Sequence, residues 1–401
     1  MRNKGVNKYD TYIIILLSSM FLGGLGGPIS VTRLLTIVFL PLLVNTFDKC
    51  HFLKRSIFYI SFIILYLIVS FVWSIDIVQG AKEVVYYFVH FLLYLEILVF
   101  ANLSNYPCKS IVRGWMLAFA LTIPIALWEL ITDNHISGGL EGMDTGFTAY
   151  IDGLPVEHRF AKIAFGNYNS YCTYICYCIP FVLYYTRSLG KKVTGFSLIF
   201  FAFVITIVNA SRGAFLTLVI ILSIYFHMAV KGFAKIWLIL IITAICSVAI
   251  YSLKDSLLAI FLMRISDGGL TNGDTRFGIW NCAWNVFLNS NGLGVGIGSL
   301  EKAMLLENAN EIPNPHNLFL ELLAQYGMLI SLFFLAYCIM MLVQTRKVAF
   351  DRKVILYCAL LSFPFSSIID SGYLLHPKLF SFFASLQIFA YGDYYNNRMN
   401  V

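Results

Sequence analysis

The sequence predicts an all-α polytopic membrane protein, with about 12 transmembrane helices and two long loops on one face. Three observations lead there. The chain is 59% hydrophobic and only 12% charged, with a mean hydropathy of +0.78, whereas soluble domains carry about 25% charged residues. Apolar runs of about 20 residues, enough to cross hydrocarbon, recur along the whole length. Basic residues also alternate from one side of these runs to the other. No polar stretch is long enough to bury a core of its own, so residues 1–401 read as one integral membrane domain.

The expected spans are 11–27, 29–47, 56–75, 81–101, 111–131, 167–186, 194–210, 212–230, 234–252, 316–343, 353–370 and 376–391. The first follows a basic N-terminus (Arg2, Lys4, Lys8). A cleaved signal peptide is the alternative, but no small-residue cleavage site follows cleanly and the run continues into Gly23-Gly24-Leu25-Gly26-Gly27, so an uncleaved span is expected. With the N-terminus cytoplasmic, 18 of the 28 basic residues fall on the inside against five of the 21 acidic ones. Every even-numbered connection then obeys the positive-inside rule, which places both termini in the cytoplasm. The two long connections, about 132–166 and 254–315, both fall outside. No GxxxxGK[ST] phosphate loop occurs, so the function is expected on the outer face rather than in ATP-driven chemistry within.

Charge and cysteine exclude several classes. The net charge of +7 is spread over short loops, where topology explains it better than nucleic acid does. The nine cysteines lie mostly inside spans and form no CxxC pair, as small buried hydrophobes do. His135, His158 and His316 are dispersed, and neither HExxH nor DxD occurs; no metal set emerges, and any cation work would fall to arginines.

The chemistry-bearing residues gather on the outer side. Segment 254–316 ends in Pro313-Asn314-Pro315-His316-Asn317. It reads as a helix start with Asn314 as N-cap and Pro315 at N1. Free amides there would face an anionic ligand such as a diphosphate, and the same field would keep His316 neutral, as a general base must be. The bland alternative is an interfacial histidine near the start of its helix. Arg212, in Ser211-Arg212-Gly213-Ala214, sits at a span edge, where a fixed charge is costly unless paired or wet. It either forks onto phosphate or snorkels to headgroups.

Arg276 opens a short amphipathic helix with Trp280, Trp284 and Phe287 at helical spacing. It supplies a second phosphate cation or pairs with Asp274 or Asp267. The following Gly292-Leu293-Gly294-Val295-Gly296-Ile297-Gly298 permits close backbone approach to an anion, although a structural turn accounts for it better. Arg159 and Lys162 in the first outer loop add cations there or are simply solvated. Arg33, Lys82 and Glu129 lie near outer span ends as pairing partners. Glu321, about a turn and a half beyond His316, is the carboxylate best placed to orient or assist it.

These residues resemble the bacterial O-antigen ligase and Wzy-type polysaccharide polymerase superfamily. The resemblance rests on Phe165-Gly166-Asn167-Tyr168-Asn169, Ser211-Arg212-Gly213-Ala214, Arg276 with Trp280 and the glycine string, and Pro315-His316-Asn317-Leu318-Phe319-Leu320-Glu321 with Tyr326-Gly327. It covers the second half of the chain well, and the many spans of the first half agree with it. It implies a glycosyltransferase type C-like fold and a metal-independent, inverting glycosyltransferase of the outer membrane face. The donor implied is an undecaprenyl diphosphate-linked oligosaccharide in membrane lipid; no cofactor and no nucleic acid are implied. Arg212 and Arg276 would hold the diphosphate, with Arg159 a further candidate, and His316 would activate the acceptor hydroxyl.

The form Asn314-Pro315-His316-Asn317 and the segment around Glu129 look more like an O-antigen or capsule polymerase, which extends another lipid-linked repeat at its non-reducing end. A ligase acting on lipid A-core or another anchor is the alternative, and a chain-length regulator is a further candidate partner. A transporter or lipid-linked oligosaccharide flippase is the rival from another class. Transporters commonly show repeated halves and mid-membrane charges, whereas here the long loops follow spans five and nine and charge gathers at the outer edge.

Overall fold

The computed structural model describes residues 6–26, 29–47, 54–136, 148–151, 154–157, 159–229, 271–307 and 313–397. The expected span at 234–252 and much of both long loops lie outside the described residues. The helices are α1 (Lys8–Ser18), α2 (Val31–Phe47), α3 (Lys54–Ser70), α4 (Ile77–Leu103), α5 (Pro107–Thr132), α6 (Tyr168–Ser188), α7 (Lys192–Val208) and α8 (Arg212–Ala229). After the gap come α9 (Thr271–Asn289), α10 (Leu300–Leu306), α11 (Leu318–Gln344), α12 (Phe350–Ser366) and α13 (Pro377–Asn397). Four short 3-10 turns and two small antiparallel pairs complete the described elements, the pairs being β1 (Gly24–Gly26) with β2 (Ile29–Ser30), and β3 (Thr148–Ile151) with β4 (Leu154–Glu157).

This is a helical membrane protein. Four helices, Ile77–Leu103, Pro107–Thr132, Arg212–Ala229 and Leu318–Lys347, are long and apolar enough to cross a bilayer, and Val31–Phe47 and Lys192–Val208 are apolar but shorter. Large apolar side chains stand exposed on several of these helices, such as Val38, Phe58, Phe200 and Leu332. In water they would be a liability; in a bilayer they face solvent of their own kind. Prolines lie within α2, α5, α6 and α12, as membrane helices commonly allow.

The core forms around α6, which packs against α5, α7, α8 and α12 and is buried along most of its length. Aromatic rings hold it there: Phe181 stacks on Trp115 of α5 at 5.2 Å, and Tyr177 on Phe382 of α13 at 4.4 Å. Polar side chains fix the connecting loops onto this core. Glu129, fully buried near the end of α5, accepts the amides of Ile136, Lys162 and Ile163 and so closes the loop after α5 at both ends. Asn209 clasps both backbone groups of Ala161. Arg33 is a pairing partner as expected, donating to His90 and to the Leu375 carbonyl.

The glycine string is structural. Gly327, at φ +76°, breaks α11, which frees carbonyls that residues 292–298 then occupy. Val295 and Gly296 donate to Ala324 and Gln325, and Met328 donates to Gly292. Further along, Gly298, at φ +71°, lies against the backbone of Gly80 in α4, where an added Cβ would fall on the Gly80 nitrogen. Gly298→Ala is therefore expected to cost about 3 kcal/mol, from the left-handed backbone and overpacking together. Thermal unfolding of the purified variant in detergent checks this, and a change within 0.5 °C of wild type would contradict it.

Candidate functional site

The expected helix start is displaced by three residues. Asn317, not Asn314, caps α11, its side chain accepting the amides of Phe319 and Leu320. His316 precedes the cap with φ +47°. Asn314 instead forms a turn, its Oδ1 accepting the His316 amide at 3.3 Å. The amides are also not free for an anion: Leu318 N–H donates to the Ser367 carbonyl and Glu321 N–H to Asn317. The reason is tertiary. The turn after α12 supplies a carbonyl to the helix start, so α11 is anchored rather than presented. The positive end of its dipole remains close to His316.

His316 is set by its neighbours. Trp280 of α9 donates to the Pro315 carbonyl at 2.8 Å, and the buried Nδ1 of His316 has no hydrogen-bond partner among the described residues. Burial, more than any charge, pushes the imidazole below the ordinary histidine value; nearby Arg276 pushes the same way, and Asp370 opposes them. The ring is thus held neutral, with a lone pair to accept a proton.

Arg276 and Arg212 approach the same turn. Arg276 donates to the Ile368 carbonyl at 3.4 Å, while Asp267 and the side chain of Asp274 lie outside the described residues. Arg212 is the first residue of α8, and a Cβ on the adjoining Gly213 would meet Ile369 at 3.1 Å. The turn after α12 therefore joins the starts of α8 and α11 and the side chain of Arg276. Arg159, exposed, donates to the Ile131 carbonyl at the end of α5, and no described contact joins it to His316.

Glu321 does not bond His316. Its two carboxylate oxygens accept the amides of Gly372 and Tyr373, at 2.9 and 3.2 Å. That fixes the far end of the same turn, so Glu321 positions backbone. The carboxylate that acts on the histidine is Asp370, which sequence reasoning missed. Asp370 is buried and pairs with Lys378 at 2.7 Å, and Lys378 also donates to Ser170 at the start of α6. Asp370 Oδ1 has no partner among the described residues. The available signal was an aspartate and a lysine set in apolar sequence near the membrane edge, which are functional candidates by default.

Residues 197–335 match the family model described as O-Antigen ligase. A relative, the Teichuronic acid biosynthesis protein TuaE of Bacillus subtilis (strain 168), is 23% identical over 342 residues, covering 80% of this chain and 68% of that protein. Both likenesses support the O-antigen ligase/polymerase superfamily. The superfamily match contains Arg212, Arg276, His316 and Glu321 but neither Arg159 nor the Asp370–Lys378 pair.

Proposed function

We propose that the chain is a polysaccharide polymerase: a glycosyltransferase that moves a glycan from an undecaprenyl diphosphate-linked donor to the non-reducing end of another lipid-linked repeat. The supporting observation is the approach of His316, Arg276 and the Arg212 helix start to a single turn. In this reading the protein crosses a bacterial inner membrane twelve times, with both termini cytoplasmic and the long loops on the outer face. His316 removes the proton of the acceptor hydroxyl as its oxygen attacks the anomeric carbon from the face opposite the diphosphate. The bond to the diphosphate breaks with its electron pair, and the configuration inverts. Arg212 and Arg276, with Arg159 as a further contact, stabilise the charge developing on the leaving group, as preorganised cations do best in a water-poor site. Arginines thereby serve in place of a metal. Glu321 is a positioning residue.

A ligase is the second reading, favoured by the description of the matched family. Reconstitution with a synthetic undecaprenyl diphosphate-linked repeat as sole substrate, without nucleotide or divalent metal, separates the two. A ladder of longer lipid-linked glycans is expected. Transfer only after lipid A-core is added makes the protein a ligase, and transfer to neither acceptor overturns the enzyme reading in favour of a transporter.

Arg212→Lys is expected to lower transfer about 10–100-fold, because a point charge does not replace a bidentate fork on phosphate. Initial rates in the same assay check it, and a rate within twofold of wild type removes Arg212 from the diphosphate site.

A further inference from the structure

α9 is apolar on two opposite sides. One side packs inward, where Ile279, Ala283, Val286 and Phe287 join Leu300 and Met304 in a small second core. The other side presents Phe277, Trp284 and Leu288, which are 63%, 43% and 53% exposed, with exposed Asn281 between them. Positions 277, 281, 284 and 288 recur at helical spacing, so they form one stripe along the helix. This is not the stripe that the sequence suggests, because Trp280 spends its indole N–H on Pro315 and Phe287 is buried. A helix apolar on both sides is ordinarily covered on both. The stripe carries no charge, and Arg276 immediately precedes it.

The stripe also runs into the lipid-facing surface. α11 is long and apolar enough to cross a bilayer. No residue from Leu318 to its break at Gly327 is exposed, whereas Met328, Leu329 and Leu332 just beyond the break are. Met328 N–H donates to the Gly292 carbonyl, so the turn that ends α9 is fixed at the level where α11 begins to face lipid. Leu293 in that turn, 58% exposed, carries the apolar surface from Met328 towards Leu288. α9 itself is not among the helices apolar enough to cross, and Asn281 in mid-stripe keeps it from hydrocarbon depth. From this geometry we infer that α9 lies along the membrane surface, with Phe277, Trp284 and Leu288 seated in the bilayer interface. Tryptophan favours that layer, where its ring is in apolar surroundings and its N–H stays wet. The occupant is phospholipid rather than a second protein, because the stripe has no charge to select a partner and continues a surface that lipid covers. The contact holds whether the chain transfers or transports glycans. On the glycosyltransferase reading it has one consequence: Arg276, beside Phe277, is held at headgroup level, where a lipid-borne diphosphate travels.

The test uses the full chain in phosphatidylcholine proteoliposomes, made with ordinary lipid or with lipid brominated on the upper or the lower part of its chains. Subtracting the fluorescence of Trp284→Phe from that of the wild type isolates Trp284. At least half of this emission is expected to be quenched by the upper bromines, and less by the lower ones. Moving the reporter one turn on, with Trp284→Phe and Leu288→Trp together, should give the same pattern. Phe277→Gln with Leu288→Gln is expected to cut the quenching of Trp284 at least threefold at an unchanged unfolding temperature, since both side chains are exposed and neither belongs to the core. Quenching of less than a tenth by the upper bromines, stronger quenching by the lower ones, or quenching that the double glutamine variant leaves unchanged overturns the interfacial placement. Protection from both bromine and aqueous iodide means that protein covers the stripe, which overturns it too. None of these signals depends on transfer, so the placement can fail while the enzyme reading stands.

Discussion

Replacing His316 by alanine is expected to reduce glycan transfer by about 10²–10⁴-fold, the usual contribution of a positioned general base. The protein should still insert and unfold at close to its normal temperature. The ring's buried Nδ1 has no partner among the described residues, so truncation costs only the bond to the Asp370 backbone. Backbone strain gives a second variant. His316 holds φ +47°, a region that asparagine tolerates better than most residues. His316→Asn should therefore fold at least as well as alanine and be equally inactive. If either variant, folded, keeps wild-type transfer, the base assignment fails.

As the proposed base, the same histidine is expected to set the acid limb of activity. Burial lowers its pKa below the usual 6.5, so the neutral, active form persists to lower pH than for an exposed histidine. The limb should fall below about pH 6.5, and an acid limb above pH 7 would contradict this. The stability sign follows from the same shift. The unfolded chain takes up the proton first as pH falls, so this group's contribution is level above 6.5 and declines from there down towards the folded value.

Lys378→Met is expected to destabilise the protein by about 3–5 kcal/mol, because it leaves the Asp370 carboxylate buried without its counter-charge. Lys378 holds Asp370 at 2.7 Å and also bonds both the carbonyl and the hydroxyl of Ser170, so the start of α6 loosens with it. The pair itself need not be worth much, since desolvation offsets most of the attraction. The double variant Asp370→Asn with Lys378→Met should accordingly recover more than half of the loss. Thermal unfolding of both in detergent checks the pair. Two single losses that simply add would mean the residues act independently.

Some of this architecture was legible because each cue is local. An apolar run needs only its own residues to demand a helix in lipid, and the segments at 81–101 and 111–131 appear as α4 and α5. That a helix begins near His316 was legible because its flanking asparagines and prolines mark a helix entry whatever surrounds them, though the start lies three residues later than expected. The glycine string was legible as a turn, yet its purpose was not. That Gly298 meets Gly80, and that Gly327 breaks α11 so residues 292–298 can dock, depends on helices distant in sequence. The cap was misplaced for the same reason: Asn314 and Asn317 are both good caps locally, and the Ser367 carbonyl that anchors Leu318 comes from another helix.

By itself the sequence determined the membrane environment, the helical class and the residue types able to handle a diphosphate and a hydroxyl, since hydropathy, charge and side-chain chemistry belong to residues one at a time. The tertiary structure decided which carboxylate faces His316. Glu321 is near in sequence but consumed by the amides of Gly372 and Tyr373, while Asp370, far in sequence, is carried to the histidine by the turn after α12. Burial decided the rest, because packing removes the water that would otherwise solvate a charged imidazole and satisfy the Oδ1 of Asp370.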